Sequence, residues 1–217
     1  MMMPYASMTG TKRNLSVMQT ADWRLLMSPA CLDRYPSDAP RWVDGSPAGH
    51  ALDNGAWSAH TQGTDFDEPA FLASVARWGL SADWIVLPDV VGGGHASLAY
   101  SLSWWPKLAH LPTTLLIAVQ DGMVPADVAP YVGPRVGIAV GGSTEWKLSS
   151  MRGWGALSAV AGCHLHILRV NSARRIRLCQ DAGAHSFDGS SVTRFASTLP
   201  RLDNARRQMP LLGRLNV

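Results

Sequence analysis

Cysteine is scarce in this chain: Cys31, Cys163 and Cys179 are the full set, and no two stand in a Cys-x-x-Cys spacing. An odd, scattered trio supports neither a disulfide framework nor a thiolate zinc cage, and it fits a reducing compartment. Long apolar runs are missing as well. No stretch approaches the roughly 20 apolar residues of a membrane span. Met1 to Ser16 carries three opening methionines and a Lys12-Arg13 pair but no continuous apolar run of the secretory type. Residues 1–16 therefore read as a flexible arm. No repeat, low-complexity tract or linker divides the remainder, so residues 17–217 read as one domain.

Of the 217 residues, 47% are hydrophobic, enough for one sizeable core. A net charge of +3 and an isoelectric point of about 9.0 conceal an asymmetry. Arginines crowd the final third, at Arg169, Arg174, Arg175, Arg177 and on to Arg214. Such a bias suits a polyanion partner, and equally a solvated, arginine-rich helix face.

Short apolar runs alternate with helical patterns along the whole chain. Arg24 to Met27, stopped by Pro29, reads as a first strand. Ala51-Leu52 runs into Asp53, Trp84 to Leu87 leads to Asp89, and Thr114 to Val119 ends at Gln120. Arg135 to Ser143 reads as a strand running into glycine at Gly141-Gly142, His164 to Leu168 alternates faces, and Ala184 to Phe187 ends at Asp188. Between them, Phe66 to Gly79, Leu98 to Leu108, Lys147 to Ala161 and Ser172 to Ala182 have helical spacing or caps. The expected class is α/β, a shortened (β/α) TIM-like barrel. The segment beyond Arg194 has room for a helix and a short eighth strand, so an incomplete barrel is one outcome.

Asp53, Asp89, Gln120, Gly141-Gly142-Ser143 and Asp188 all fall at C-terminal strand ends, where a barrel of this kind gathers its chemistry. Acids there can attack carbon or move protons, while an amide and free backbone groups can read a purine-like edge. Asp188-Gly189-Ser190-Ser191 is also compatible with a simple helix cap. The Gly92-Gly93-Gly94 triplet lacks a Walker lysine and reads as a loop. His164 and His166 share one strand face without a placeable third metal ligand, and read as core or pocket-lining residues.

In their order along the chain, these motifs resemble the tRNA-guanine transglycosylase superfamily, and especially its DNA-acting, DpdA-type relatives. Asp53-Asn54-Gly55-Ala56 is similar to the family's Asp-Ser-Gly-Gly, Val119-Gln120-Asp121-Gly122 to Val-Gln-Gly-Gly, and Gly137 to Gly142 to Gly-Leu-Ala-Val-Gly-Glu. Phe187-Asp188 with Thr193-Arg194 resembles the nucleophile motif. The resemblance implies exchange of guanine in DNA for a free 7-deazaguanine base through a covalent aspartyl-sugar intermediate. Asp188 would be the nucleophile and Asp53 the proton-transfer residue, with Asp89, Gln120, Gly141, Gly142 and Ser143 holding the base. Arg194, Lys147, Arg174 and Arg175 would hold phosphates. The implied partner is nucleic acid, DNA before tRNA, in the cytoplasm, with no membrane, no cofactor and no metal, and with a homodimer left open. The family's zinc-binding Cys-x-Cys-x-x-Cys is absent, which favours the DNA branch, and two of its glycine pairs are altered in Asp53-Asn54-Gly55-Ala56 and Gln120-Asp121-Gly122.

Two other readings stand beside this one. A nucleoside or glycoside hydrolase on the same barrel would resolve the intermediate with water. A non-catalytic nucleic-acid-binding module would use the basic final third, although a bare scaffold has no need of acids in its mouth.

Overall fold

The computed structural model describes residues 1–208; Arg214 lies outside them. Eight parallel strands close into a barrel: β1 (Met3–Ser7), β2 (Arg24–Met27), β3 (His50–Leu52), β4 (Trp84–Val86), β5 (Thr114–Val119), β6 (Val136–Val140), β7 (Leu165–Ile167) and β8 (Ser186–Gly189). Each strand pairs with the next in the chain, and β8 returns to β1 with Tyr5 opposite Asp188. Full closure satisfies the backbone groups that an open sheet would leave at its edges.

Residues 1–16 are thus no loose arm. They supply β1 and the start of α1 (Lys12–Thr20), and Met2, Tyr5 and Ala6 are buried. A short run interrupted by Pro4 carries a weak strand signal, because proline cannot donate to a ladder. Barrel closure overrides that signal by giving the segment a partner on each side. The eighth strand therefore comes from the chain's start, and the segment after Arg194 forms α9 (Leu199–Arg207).

Side chains alternate between the two faces of each strand. One set, including Tyr5, Leu26, Trp84, Val86, Leu116 and Ala139, fills the barrel interior. The other set, including Leu25, Leu52, Ile85, Ile117, Ile138 and Phe187, packs outward beneath the helices. Gly137 on β6 is required by this packing, since a Cβ there would lie 2.5 Å from the His164 carbonyl oxygen and from Leu116.

The helices are α2 (Ala56–Gln62), α3 (Glu68–Trp78), α4 (His95–Leu108), α5 (Pro125–Val128), α6 (Thr144–Ala161), α7 (Ala173–Asp181) and α8 (Ser191–Arg194), besides α1 and α9. Local chemistry explains several of their starts. Asp67, Ser143 and Ser172 each accept an amide of the first turn of α3, α6 and α7, and Pro69 sits near the start of α3, where no amide is needed. No helix among the described residues is long and apolar enough to cross a membrane.

Candidate active site at the barrel mouth

The two-residue period that aims Ala51 into the barrel aims Asp53 into its mouth, and Ser186 and Asp188 share a face of β8 in the same way. A cavity of about 780 Å³ opens at this C-terminal end. Asp53, Asp89, Gln120, Gly141, Gly142, Ser143, Asp188 and Arg194 all line it. The sequence-predicted residues are thereby brought together, with the exceptions of Lys147, Arg174 and Arg175.

Asp53 is a strongly perturbed carboxyl in the mouth. Burial, then the negative charges of Asp188 and Asp89, push it up to about 7, against the opposing hydrogen bonds from the Gly55 and Asn54 amides. Asp89 is also raised, chiefly by burial, while the Asn54 hydrogen bond and the Arg169 charge oppose that rise. Both Asp89 oxygens are engaged: Asn54 Nδ2 donates to one at 2.7 Å, and Gln120 Nε2 donates to the other at 2.7 Å.

Asp188 is 6% exposed. Its Oδ1 accepts the Arg169 amide at 2.9 Å and lies 3.2 Å from His166 Nε2. This clamp fixes the carboxyl's orientation and is built from β8 and the segment after β7.

Gln120 is committed to the framework. Its Nε2 also donates to the Val90 carbonyl and to Ser97 Oγ, and its Oε1 accepts the Gly92 amide at 2.6 Å. The loop of Gly92-Gly93-Gly94 is therefore tethered to β5's end. Ser143 is similarly bound, its amide and hydroxyl donating to Asp121 at 2.6 and 2.5 Å. The Ser143 hydroxyl bond, first among the causes, lowers Asp121 below the usual carboxylate range. Gly142 has a φ of +69°, and a Cβ there would run into Asp121 and Trp146, so glycine is needed at this turn.

The cation at the centre of the mouth is Arg169. Its guanidinium lies 4.0 Å from the Trp57 ring centroid, donates to the Gly142 carbonyl, and faces Asp188, Asp89, Asp121 and Asp53. Its φ of +60° is a left-handed conformation that a long side chain rarely adopts. Non-glycine residues held this way cluster at functional sites. The sequence reading counted Arg169 only within a basic tract and missed its place, as it did the placing of Asn54, Trp57 and Asn171 in the cavity wall. The available signal was position, since Arg169 follows the end of β7 just as Asp89 follows the end of β4.

Three expected phosphate-binding residues are elsewhere. Lys147 is 4% exposed, its Nζ donates to the Leu168 carbonyl, and burial, followed by the Arg169 charge, lowers it to about 8. An ammonium so enclosed cannot meet a phosphate backbone. Arg174 and Arg175 lie on the first turn of α7, outside the cavity lining. No group of three or more His, Cys, Asp or Glu side chains with metal-binding geometry is present among the described residues.

No family model matches the chain, and no curated protein matches it. Among solved structures, one described as native KDPGal aligns with 13% identity over 94% of this chain and 94% of its own, at a TM-score of 0.50. Another, described as a candidate fructose-1,6-biphosphate aldolase from Coccidioides immitis, aligns with 11% identity over 94% of this chain and 85% of its own, at a TM-score of 0.59. Such low identities establish the fold alone, a closed (β/α)₈ barrel.

The guanine transglycosylase resemblance is corrected by these findings. The two solved barrels described above carry KDPGal and fructose-1,6-biphosphate aldolase descriptions and not transglycosylase ones, and no family model matches the chain. The implied base exchange in DNA falls with it, and the hydrolase and nucleic-acid-binding readings gain no support in its place. The geometry gives physical reasons of its own. The side chains of Gln120 and Asp89, expected to read a base, already satisfy one another, and buried Lys147 has no access to a polyanion.

Proposed function

We propose that the chain is an enzyme of lyase type that moves a proton at a small hydroxylated carbonyl compound bound in the barrel mouth. The observation that carries this reading is Asp53, a carboxyl poised near neutrality by burial and by two acidic neighbours in one cavity. A proton acceptor of that strength can both take and return a proton at neutral pH. Asp53 takes the proton of a substrate hydroxyl, the adjacent carbon–carbon bond breaks with its electron pair passing toward the carbonyl, and Asp53-H then protonates the resulting enolate carbon. The proton count closes on Asp53 itself.

The enolate oxygen needs a positive partner. The chain's three lysines are Lys12, Lys107 and Lys147, and none lines the cavity. A lysine Schiff base is therefore not the electron sink. Arg169 is the cation in place, held by Trp57 and the Gly142 carbonyl. Asp188, its Oδ1 held by two N–H groups, is available to a substrate hydroxyl through its other oxygen. The four acids and two arginines of the lining favour a polar substrate of low charge over a bisphosphate. The aldolase-type neighbours supply the reaction type, while the residues that carry it are this chain's own.

A direct test is solvent-deuterium incorporation. The protein is incubated in D₂O with a panel of 2-oxo acids and hydroxyketones, and loss of the proton on the carbon next to the carbonyl is followed by NMR. Exchange by the wild type, with a fall of about 100-fold or more in Asp53→Asn, is expected. No exchange across the panel would overturn the proposal.

A further inference from the structure

The barrel interior holds a polar string that continues below the cavity from Asp188. His166 Nε2 lies 3.2 Å from Asp188 Oδ1, His166 Nδ1 lies 2.7 Å from Ser186 Oγ, and the same Oγ lies 2.7 Å from His164 Nε2. The two-residue period of β7 and β8 stacks these side chains along the barrel axis, from the mouth toward the N-terminal end. His166 and Ser186 have no exposure, whereas His164 is partly exposed and stacks on exposed His185, with ring centroids 5.2 Å apart. Nothing in barrel packing calls for such a string, since the same interior is filled elsewhere by Leu116, Ala118 and Ala139.

The bonding directions can be assigned in sequence. Asp188 Oδ1 already accepts the Arg169 amide, so it acts as an acceptor toward His166 Nε2–H as well. Burial keeps both imidazoles neutral, below the usual histidine range, so each carries one N–H. His166 Nδ1 is then bare and accepts the Ser186 hydroxyl proton. That uses the hydroxyl's only proton, so His164 Nε2–H donates to Oγ. All three hydrogen bonds point toward Asp188. The groups facing His166 are Asp188 on β8, Lys147 on α6, Tyr5 on β1 and Trp84 on β4; those facing His164 are His166, His185 and Trp84.

We infer that His164, Ser186 and His166 form a proton relay connecting Asp188 in the mouth with solvent at the opposite end of the barrel. When negative charge grows in the cavity, a solvent proton enters at His164 Nδ1. The His164 Nε2 proton moves to Ser186, the Ser186 proton to His166 Nδ1, and the His166 Nε2 proton to Asp188. One proton enters for each that arrives, and both rings end as Nδ1–H tautomers. The reverse movement discharges Asp188 and restores the starting state. The relay's use in turnover rests on the proton-transfer function proposed above, but its existence does not, and these residues act through Asp188 as positioning residues.

The test needs no substrate. In the full-length protein labelled with ¹⁵N-histidine, both His164 and His166 are expected as Nε2–H tautomers. Exchange of the His166 ring proton with water is expected to slow ten-fold or more in Ser186→Ala and in His164→Phe, while the amides of β7 and β8 keep their rates. Ser186→Thr, which retains a hydroxyl, is expected to restore exchange. A wild-type His166 protonated on Nδ1 would overturn the relay even if every variant failed to fold. So would an unchanged ring-proton exchange rate in a folded Ser186→Ala, because the proton would then be leaving through the cavity. Deuterium incorporation into a carbonyl compound reads the proposed reaction separately.

Discussion

At the scale of single residues, the barrel mouth is a place where charge is held at a cost, and Asp53 carries a large part of it. Its native pKa, near 7, lies above its unfolded value, so the folded state binds the extra proton between the two. Its contribution to stability is fully present at low pH and declines as pH rises from about 4 through 7. A shift of this size corresponds to roughly 4 kcal/mol. Asp53→Asn is therefore expected to flatten stability between pH 4 and 8 and to be more stable than the wild type above pH 7, as chemical denaturation at a series of pH values will read. Arg169 makes a complementary case. Arg169→Gly relieves a left-handed backbone, worth about 1 kcal/mol, but deletes the cation. Stability within about 1 kcal/mol of wild type, with deuterium exchange reduced at least ten-fold, is the expected pairing. Asp53, Asp89 and Asp188 could be placed at the mouth from the sequence because each follows an apolar run, whereas Asp121 was not singled out. The roles of Gln120 and Lys147 were not legible, because whether a polar side chain faces a ligand or its own framework depends on partners 21 to 31 residues away.

At the scale of elements, strand identity came from apolar runs and failed where a proline interrupted the run. The sequence located β2 to β8, running past the ends of β4 and β6 by about three residues, but passed over β1, whose five residues include Pro4. Helix starts were legible where a cap was present, as at Ser172 of α7. What pins α9 was not legible, because it joins distant parts of the chain. Asp203 accepts Trp23 Nε1 at 3.1 Å and Arg206 Nη2 at 2.7 Å through one oxygen, and Arg207 Nε at 2.6 Å through the other. Arg206 is 3% exposed and also donates to the Ala21 carbonyl at 3.0 Å. Burial pushes the Asp203 carboxyl up, but the hydrogen bonds of Arg207 and Arg206 outweigh it and hold it below the usual range. Its contribution is thus present above the unfolded pKa and lost as pH falls through the lower, native value. Asp203→Ala leaves a buried guanidinium without its counter-charge, for which a loss of about 3 kcal/mol is expected at neutral pH. Thermal melts should show that gap from wild type narrowing in acid.

At the scale of the whole molecule, closure is the feature that local patterns could not announce. Seven strands and a helical tail are equally consistent with an open or incomplete barrel, and the eighth partner was hidden in a segment that resembled an arm. In the closed form β1 bonds to β2 through Tyr5, Ala6 and Ser7, and to β8 through Met3 to Ala6. At the end opposite the cavity, Tyr5 Oη donates to Asp83 at 2.8 Å, and Asp83 pairs with Arg24, tying β1, β2 and the start of β4 together. Tyr5→Phe removes one hydrogen bond but leaves the Arg24–Asp83 pair, so a loss of about 1 kcal/mol is expected, without change of fold. Deleting residues 1–7 is a different matter. It exposes the paired edges of β2 and β8 and removes the Tyr5 ring that walls His166, and β8 carries Asp188. A chain lacking those residues is expected to lose its single cooperative unfolding transition and to aggregate through the unpaired edges. If it remained monomeric, with an unaltered transition in urea, closure through β1 would not be what holds the mouth together.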